Sequence, residues 1–253
     1  MSKITKNIFL AFLLALTGLA ESVRFQQWKK LDGKLKHVTV GASGIWGINS
    51  GGALYRLDGK SWTHISSSGW LTVSSGGEYI WATRTDHSIR RGDGQSWQVV
   101  PGGLQQIEAS RKNNVWAINR HNDIYRYNGI NWQHISGKLQ QISSGASGVW
   151  GSVSGLTYYR PYTYGDYEHP GGDWQHVSSS PQMKWVASGD NLVLAIDTSG
   201  NLHYRTGVTV SNPTGSSWAR VSNVANLKQV DVFYSVVLAV DTNDNIWYSI
   251  IQN

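Results

Sequence analysis

Val115-Trp116-Ala117-Ile118-Asn119-Arg120-His121-Asn122-Asp123-Ile124-Tyr125-Arg126-Tyr127-Asn128-Gly129-Ile130-Asn131-Trp132 reads as an apolar strand, a polar turn, a strand with alternating faces, a tight turn, and a Trp that starts another strand. The period is two, and β-branched and aromatic residues dominate, as in strands rather than helices. The phrase stands earlier as Ile45-Trp46-Gly47-Ile48-Asn49, then Leu54-Tyr55-Arg56-Leu57-Asp58-Gly59-Lys60-Ser61-Trp62. It returns in weaker form as Leu194-Ala195-Ile196-Asp197-Thr198-Ser199-Gly200-Asn201, then Leu202-His203-Tyr204-Arg205. Such recurrence marks a repeat architecture.

Counting outward, the Trp that follows the turn occurs at Trp28, Trp62, Trp97, Trp132, Trp174 and Trp218, at intervals of 34, 35, 35, 42 and 44 residues. The two long intervals carry insertions within 160–172 and 208–215, both just before the next Trp, where they lengthen a loop and spare the strands. The first unit offers strands at 35–40, 44–49, 53–57 and 62–65, bounded by Gly, Ser, Asn and Asp that suit hairpin turns. Four short strands per unit predict an all-β fold, a six-bladed β-propeller of four-stranded antiparallel blades. The last unit lacks a Trp-led fourth strand, and the segment around Trp28 is such a strand without a blade. Pairing them closes the ring and removes two exposed edges.

Residues 1–20 stand apart. Lys3 and Lys6 precede the apolar run 8–16, and Gly18-Leu19-Ala20 offers small residues for cleavage, so a secretory signal peptide is expected, with the propeller occupying 21–253. The run is about half the ~20 residues a membrane span needs. A secreted, extracellular protein without a membrane span follows. The formal charge of +6 is spread singly, without the concentrated basic patch of a nucleic-acid binder. Cysteine is absent, which removes disulfides and thiol chemistry.

The histidines of the Trp-x-His phrase, His64, His134 and His176, sit at equivalent repeat positions and so are spread around the ring. No zinc-protease spacing, nucleophile elbow or phosphate loop is present, and no enzymatic activity is expected. No cofactor is expected either. The turns 197–201 and 241–245 give Asp197, Asp241 and Asp244 the outline of a weak calcium site, but the glutamate of an EF-hand loop is missing and Asx residues suit the turns themselves.

Trp and Tyr, 13 and 12, far outnumber the 4 Phe. Trp46, Trp81, Trp116 and Trp150 form one column of the second strand, replaced by Leu194 and Leu238, which predicts packing between blades. Tyr55, Tyr125, Tyr204 and Tyr248 read as a third-strand column, often followed by Arg56, Arg126 or Arg205. An aromatic face beside a hydrogen-bonding Arg suits a sugar ring. Ordinary cross-strand pairs on an outward face fit the same pattern.

The units Val-Trp-Gly/Ala-Ile-Asn and Ile-Tyr-Arg-Tyr/Leu-x-Gly, clearest at 148–151, 45–49 and 122–127, resemble the tectonin repeat, and the chain is similar to the fish-egg lectin and tachylectin group over about nine-tenths of its length. The resemblance implies a secreted multivalent lectin of innate immunity or egg defence that binds N-acetylglucosamine-type sugars or lipopolysaccharide on microbial or egg surfaces. Members of that group commonly carry disulfides, and this chain departs from them in having no Cys. A protein-interaction or egg-envelope scaffold is the competing expectation. Sugar sites are expected in grooves between blades, on the face that gathers the loops joining second to third strands. The candidate residues are Asn49, Tyr55, Arg56, Asn119, Tyr125, Arg126, Asp197, Tyr204 and Arg205.

Overall fold

The computed structural model describes residues 23–111, 114–166, 168–177 and 180–252; the expected signal peptide lies outside them. Six antiparallel sheets form a ring. Blade one consists of His37–Gly41, Gly44–Ile48, Leu54–Asp58 and Ser61–Ser66. Blades two to five repeat this meander over 70–100, 106–138, 141–177 and 183–220. The innermost strands contact one another around the axis.

Blade six is built from both ends of the chain. Leu227–Phe233, Val236–Asp241 and Asn245–Gln252 are its first three strands, and Lys29–Lys34 is the fourth. Lys29 pairs with Tyr248 and Leu31 with Ile246, while Arg24–Phe25 extends the same edge onto Gln252 and Ile251. The ring therefore closes through an N-terminal strand, as the orphan Trp28 segment predicts.

The core lies between blades because a single sheet cannot bury both of its faces. Trp46, Trp116 and Trp150 are essentially inaccessible, and Leu194 and Leu238 are equally buried at the corresponding positions. Trp81 meets Tyr127 and Trp132 of blade three at 5.1 and 6.0 Å, and Trp116 meets Trp174 of blade four at 6.4 Å. The Trp column thus faces the following blade, and Leu takes over that role where the Trp is lost.

Two polar devices recur beside this packing. A side chain from one position of the innermost strand reaches the backbone of the next blade: His37 Nε2 donates to the Val73 carbonyl at 2.9 Å, and Trp185 Nε1 to that of Val230 at 2.8 Å. Gln106, Gln141 and Gln229 occupy the same position and each both donates and accepts, on Ile142, Val186 and Val38. Burial lowers the His37 pKa to about 4, so its ring stays neutral while it donates. The second device is the turn between second and third strands. There a left-handed residue (Gly52, His87, Asn122, Gly155, Gly200 or Asp244) offers its carbonyl to the N–H that enters the next blade, at 2.9–3.0 Å in all six cases. Those turns and the blade-to-blade connections consequently share one face of the ring.

Every blade lends polar residues to the axial channel, among them Thr39, Ser74, Glu108, Ser144, Ser188 and Asp231. Burial raises the Glu108 pKa well above the usual carboxylate range, reinforced by the charge of Asp231. Burial likewise raises Asp231 to about 6, against hydrogen bonds from Val40, Thr39 and Val232.

Candidate functional site

Strand alternation assigns each third-strand residue to one of two grooves. Arg56, Arg91 and Arg126 stand opposite the Trp column and so face the following blade. Tyr55, Tyr125 and Tyr158 stand opposite the small residues Gly47, Ala117 and Gly151 and face the preceding one. The expected column of Tyr55, Tyr125, Tyr204 and Tyr248 therefore splits. Tyr204 lies opposite Leu194 and Tyr248 opposite Leu238, on the other face of their sheets. A displacement of one residue along a strand reverses the face, and sequence similarity alone does not fix that register. The true counterparts of Tyr55 in the last two blades are His203 and Trp247.

Arg205 is displaced in the same way and corresponds to Arg160 instead of Arg56 and Arg126. Both guanidinium groups are buried over a repeat Trp, Arg160 at 5.4 Å from the Trp174 ring centre and Arg205 at 5.2 Å from that of Trp218. Each donates Nε to a carbonyl of its own insertion, Pro170 at 2.8 Å and Thr214 at 2.7 Å. These arginines pin the two insertions. Arg126 is also buried, and its Nη2 donates to the Glu168 carbonyl at 2.5 Å, tying blade three to the insertion of blade four. Arg56 is held by Asp58 at 2.8 Å, a hydrogen bond that keeps the Asp58 carboxyl below its usual range.

The candidate Asx residues cap turns. Asn49, Asn119, Asp197 and Asp241 each accept the backbone N–H four residues on, at 2.8–3.0 Å. The side chain also reaches across to the third strand: Asn49 Nδ2 to the Tyr55 hydroxyl at 3.4 Å, His203 Nε2 to Asp197 at 3.0 Å, and Trp247 Nε1 to Asp241 at 3.0 Å. The structure thus joins Asn49 to Tyr55. It sets Tyr55 and Tyr125 edge-on against His64 and His134 at 5.4 and 5.5 Å, a pair repeated by Tyr158 and His176. Asp197 and Asp241 are satisfied by N–H donors, and Asp244 is paired with Lys228. The lone pairs of carboxylates so engaged are turned to N–H donors, where a calcium ion would require them and further oxygens as ligands. Among the described residues no cluster of three or more His, Asp or Glu could hold a metal ion.

Open space lies elsewhere, between blades five and six. A cleft of about 640 Å³ is walled by Phe25, Trp28, Tyr204, Arg220, Asn223 and Trp247, and it continues into a hollow of about 600 Å³ along 220–226. Phe25 stacks on Trp28, with ring centres 6.2 Å apart and planes at 15°, and lies 6.1 Å from Tyr204. Gln26 and Gln27 add exposed amides, and Arg220 is oriented by Nη2 donating to Asn201 Oδ1 at 2.6 Å. Among the described residues no Asp or Glu lines either hollow. Of the sequence candidates, Tyr204 is the one that lines this cleft. Phe25, Arg220, Asn223 and Trp247 were not foreseen, although the pairing of the N-terminal strand with blade six already placed the first of them at this groove.

Residues 12–78 and 49–242 match the model of the Tectonin domain. No curated protein sequence matches the chain significantly. Among solved structures the chain is similar to YCF48 from Cyanidioschyzon merolae, at 13% identity and a TM-score of 0.54 over 88% of this chain and 98% of that one. YCF48 bound to D1 peptide gives 14% and 0.56 over 89% and 97%. A Bacteroides thetaiotaomicron protein gives 9% and 0.61 over 91% and 76%. At such identities the likeness is one of fold.

Proposed function

The chain belongs to the tectonin family, and from that premise we propose that it is a secreted carbohydrate-binding propeller, a lectin without catalytic activity. Its ligands are N-acetylglucosamine-type sugars or lipopolysaccharide glycans on microbial or egg surfaces. The observation that carries this reading is the chemistry of the cleft between blades five and six. Sugar recognition requires flat apolar faces for ring C–H groups and planar hydrogen-bonding groups for hydroxyls. Phe25, Trp28, Tyr204 and Trp247 supply the former; Gln26, Gln27, Asn223 and Arg220 supply the latter. A glycan array followed by titration calorimetry tests it. Binding to N-acetylated or lipopolysaccharide glycans is expected, weakened about tenfold or more by Trp247→Ala. An array without any bound glycan would reject the proposal.

A second reading, a protein-interaction platform, draws on the opposite face of the ring. Ile130, Tyr162 and Val210, 80%, 81% and 79% exposed, occupy the connections between third and fourth strands in three consecutive blades. Exposed apolar tips grouped on one face suit a protein partner. A binding partner retained in saturating free sugar and lost in Tyr162→Asp would support this role.

A further inference from the structure

The grooves of this ring are not equivalent, and the difference traces to the position five residues after each repeat Trp. In the closing strand, blade two and blade three that position is Gly33, Gly102 and Gly137, with φ of 95°, 131° and 113°. The Trp of the following blade lies so close that a Cβ on these glycines would stand 3.3 Å from Trp62 Cδ1, 3.2 Å from Trp132 Cδ1 and 3.0 Å from Trp174 Cδ1. Glycine lets the indole rest against the backbone and fill the groove. Blade one has Ser67 there, and its groove is filled instead by Trp70, whose ring lies 4.7 Å from that of Trp97.

Blade five carries Asn223 at this position. Its φ of 63° preserves the left-handed turn, which Asn tolerates better than other side-chain-bearing residues. Its Cβ and carboxamide, however, forbid the close approach that Gly33, Gly102 and Gly137 allow. Asn223 and Trp28 end on the walls of an open cleft. The indole N–H of Trp28 has no partner although the residue is only 8% exposed. Those of Trp132 and Trp174 are equally unpartnered but have Gly102 and Gly137 packed against them.

Resting on the carbohydrate reading above, we infer that this propeller has one differentiated sugar site, the cleft between blades five and six, opened by Asn223 and taking a single pyranoside ring. The aromatic walls stack on the ring, and the Asn223 carboxamide, the Arg220 guanidinium and the amides of Gln26 and Gln27 serve its oxygens. Phe25 and Trp28 belong to the segment that closes the ring, so the bound sugar bridges the closing strand to blade five. Binding then stabilises closure by linkage.

Calorimetric titration of the full chain with the N-acetylglucosamine trimer, beside Asn223→Gly and Asn223→Asp, tests the inference. One site per chain is expected. Asn223→Gly, which suits the left-handed turn and should fold normally, is expected to lose about tenfold or more in affinity. Asn223→Asp, which keeps the cleft open, is expected to lose less. Sugar should also slow amide exchange across residues 24–34 in the wild type and not in Asn223→Gly. Unchanged affinity in Asn223→Gly, or about six equivalent sites, would overturn the inference and leave the carbohydrate reading standing. A wild type that does not bind the trimer would overturn the inference, and a glycan array without any bound glycan would overturn the carbohydrate reading with it.

Discussion

The groove between blades three and four and the groove between blades five and six are built from the same repeat, yet one is packed shut and the other is open. In the first, Gly137 lies against Trp174 and Arg126 reaches over to Glu168. In the second, Asn223, Trp28, Phe25 and Trp247 line an open space between the blades. The lesson is that a repeat keeps its core contact, Trp116 in one blade and Leu194 in another, while residues near the rim differ from groove to groove.

The comparison breaks most drastically if the ring is opened. Deleting residues 21–34 removes one wall of the cleft and exposes the third strand of blade six as an edge. Calorimetry should then show loss of the cooperative transition or aggregation on heating; an unchanged melting temperature would mean that the strand does not close the ring. Trp116→Ala, deep in the closed interface, should cost ~3–5 kcal/mol by denaturant unfolding and leave binding by the folded fraction intact. Trp247→Ala should do the reverse and cost more in binding than in stability.

The rim position gives a smaller and more pointed contrast. Gly137→Ala adds a Cβ 3.0 Å from Trp174 at a φ of 113°, and should cost ~1–3 kcal/mol of stability. Asn223→Gly should leave stability unchanged or slightly higher. Equal losses in the two variants would erase the proposed difference between the grooves.

The smallest effect is one of pH and lies on the axis that all blades share. The pKa values of Glu108 and Asp231 are raised on folding, both by burial and that of Glu108 also by the charge of Asp231. Groups raised on folding contribute stability below their unfolded pKa that is lost as pH rises through the folded value, about 6 for Asp231. His37 acts oppositely. Its pKa falls from 6.5 to about 4, so its contribution is present above 6.5 and is lost as pH falls through that window. Glu108→Gln isolates the carboxylates: its melting temperature should exceed that of the wild type at pH 8, and the gain should vanish by pH 4.

Much of the architecture was legible because it depends on local pattern. Period-two alternation, turn residues and the spaced Trp give six blades, and the orphan Trp28 strand and incomplete last blade give the closure. The candidate sites were less legible. Asn49, Asn119 and Asp197 look like ligand-binding groups in sequence, but the Asx side chain that could bind sugar also caps a turn, and the fold uses it for the turn. Tyr204 and Arg205 looked like Tyr125 and Arg126, but strand register places each on the opposite face from its supposed counterpart.

By itself the sequence determined the repeat, the blade, the inter-blade Trp column and the way the ring ends join, since each follows from periodicity and from the need to pair strand edges. Tertiary structure alone decided which groove is open. That depends on whether the backbone of one blade can approach the indole of the next, a distance between residues that are far apart in the chain. Trp28 and Asn223 stand at opposite ends of the sequence and become neighbours only when the ring closes.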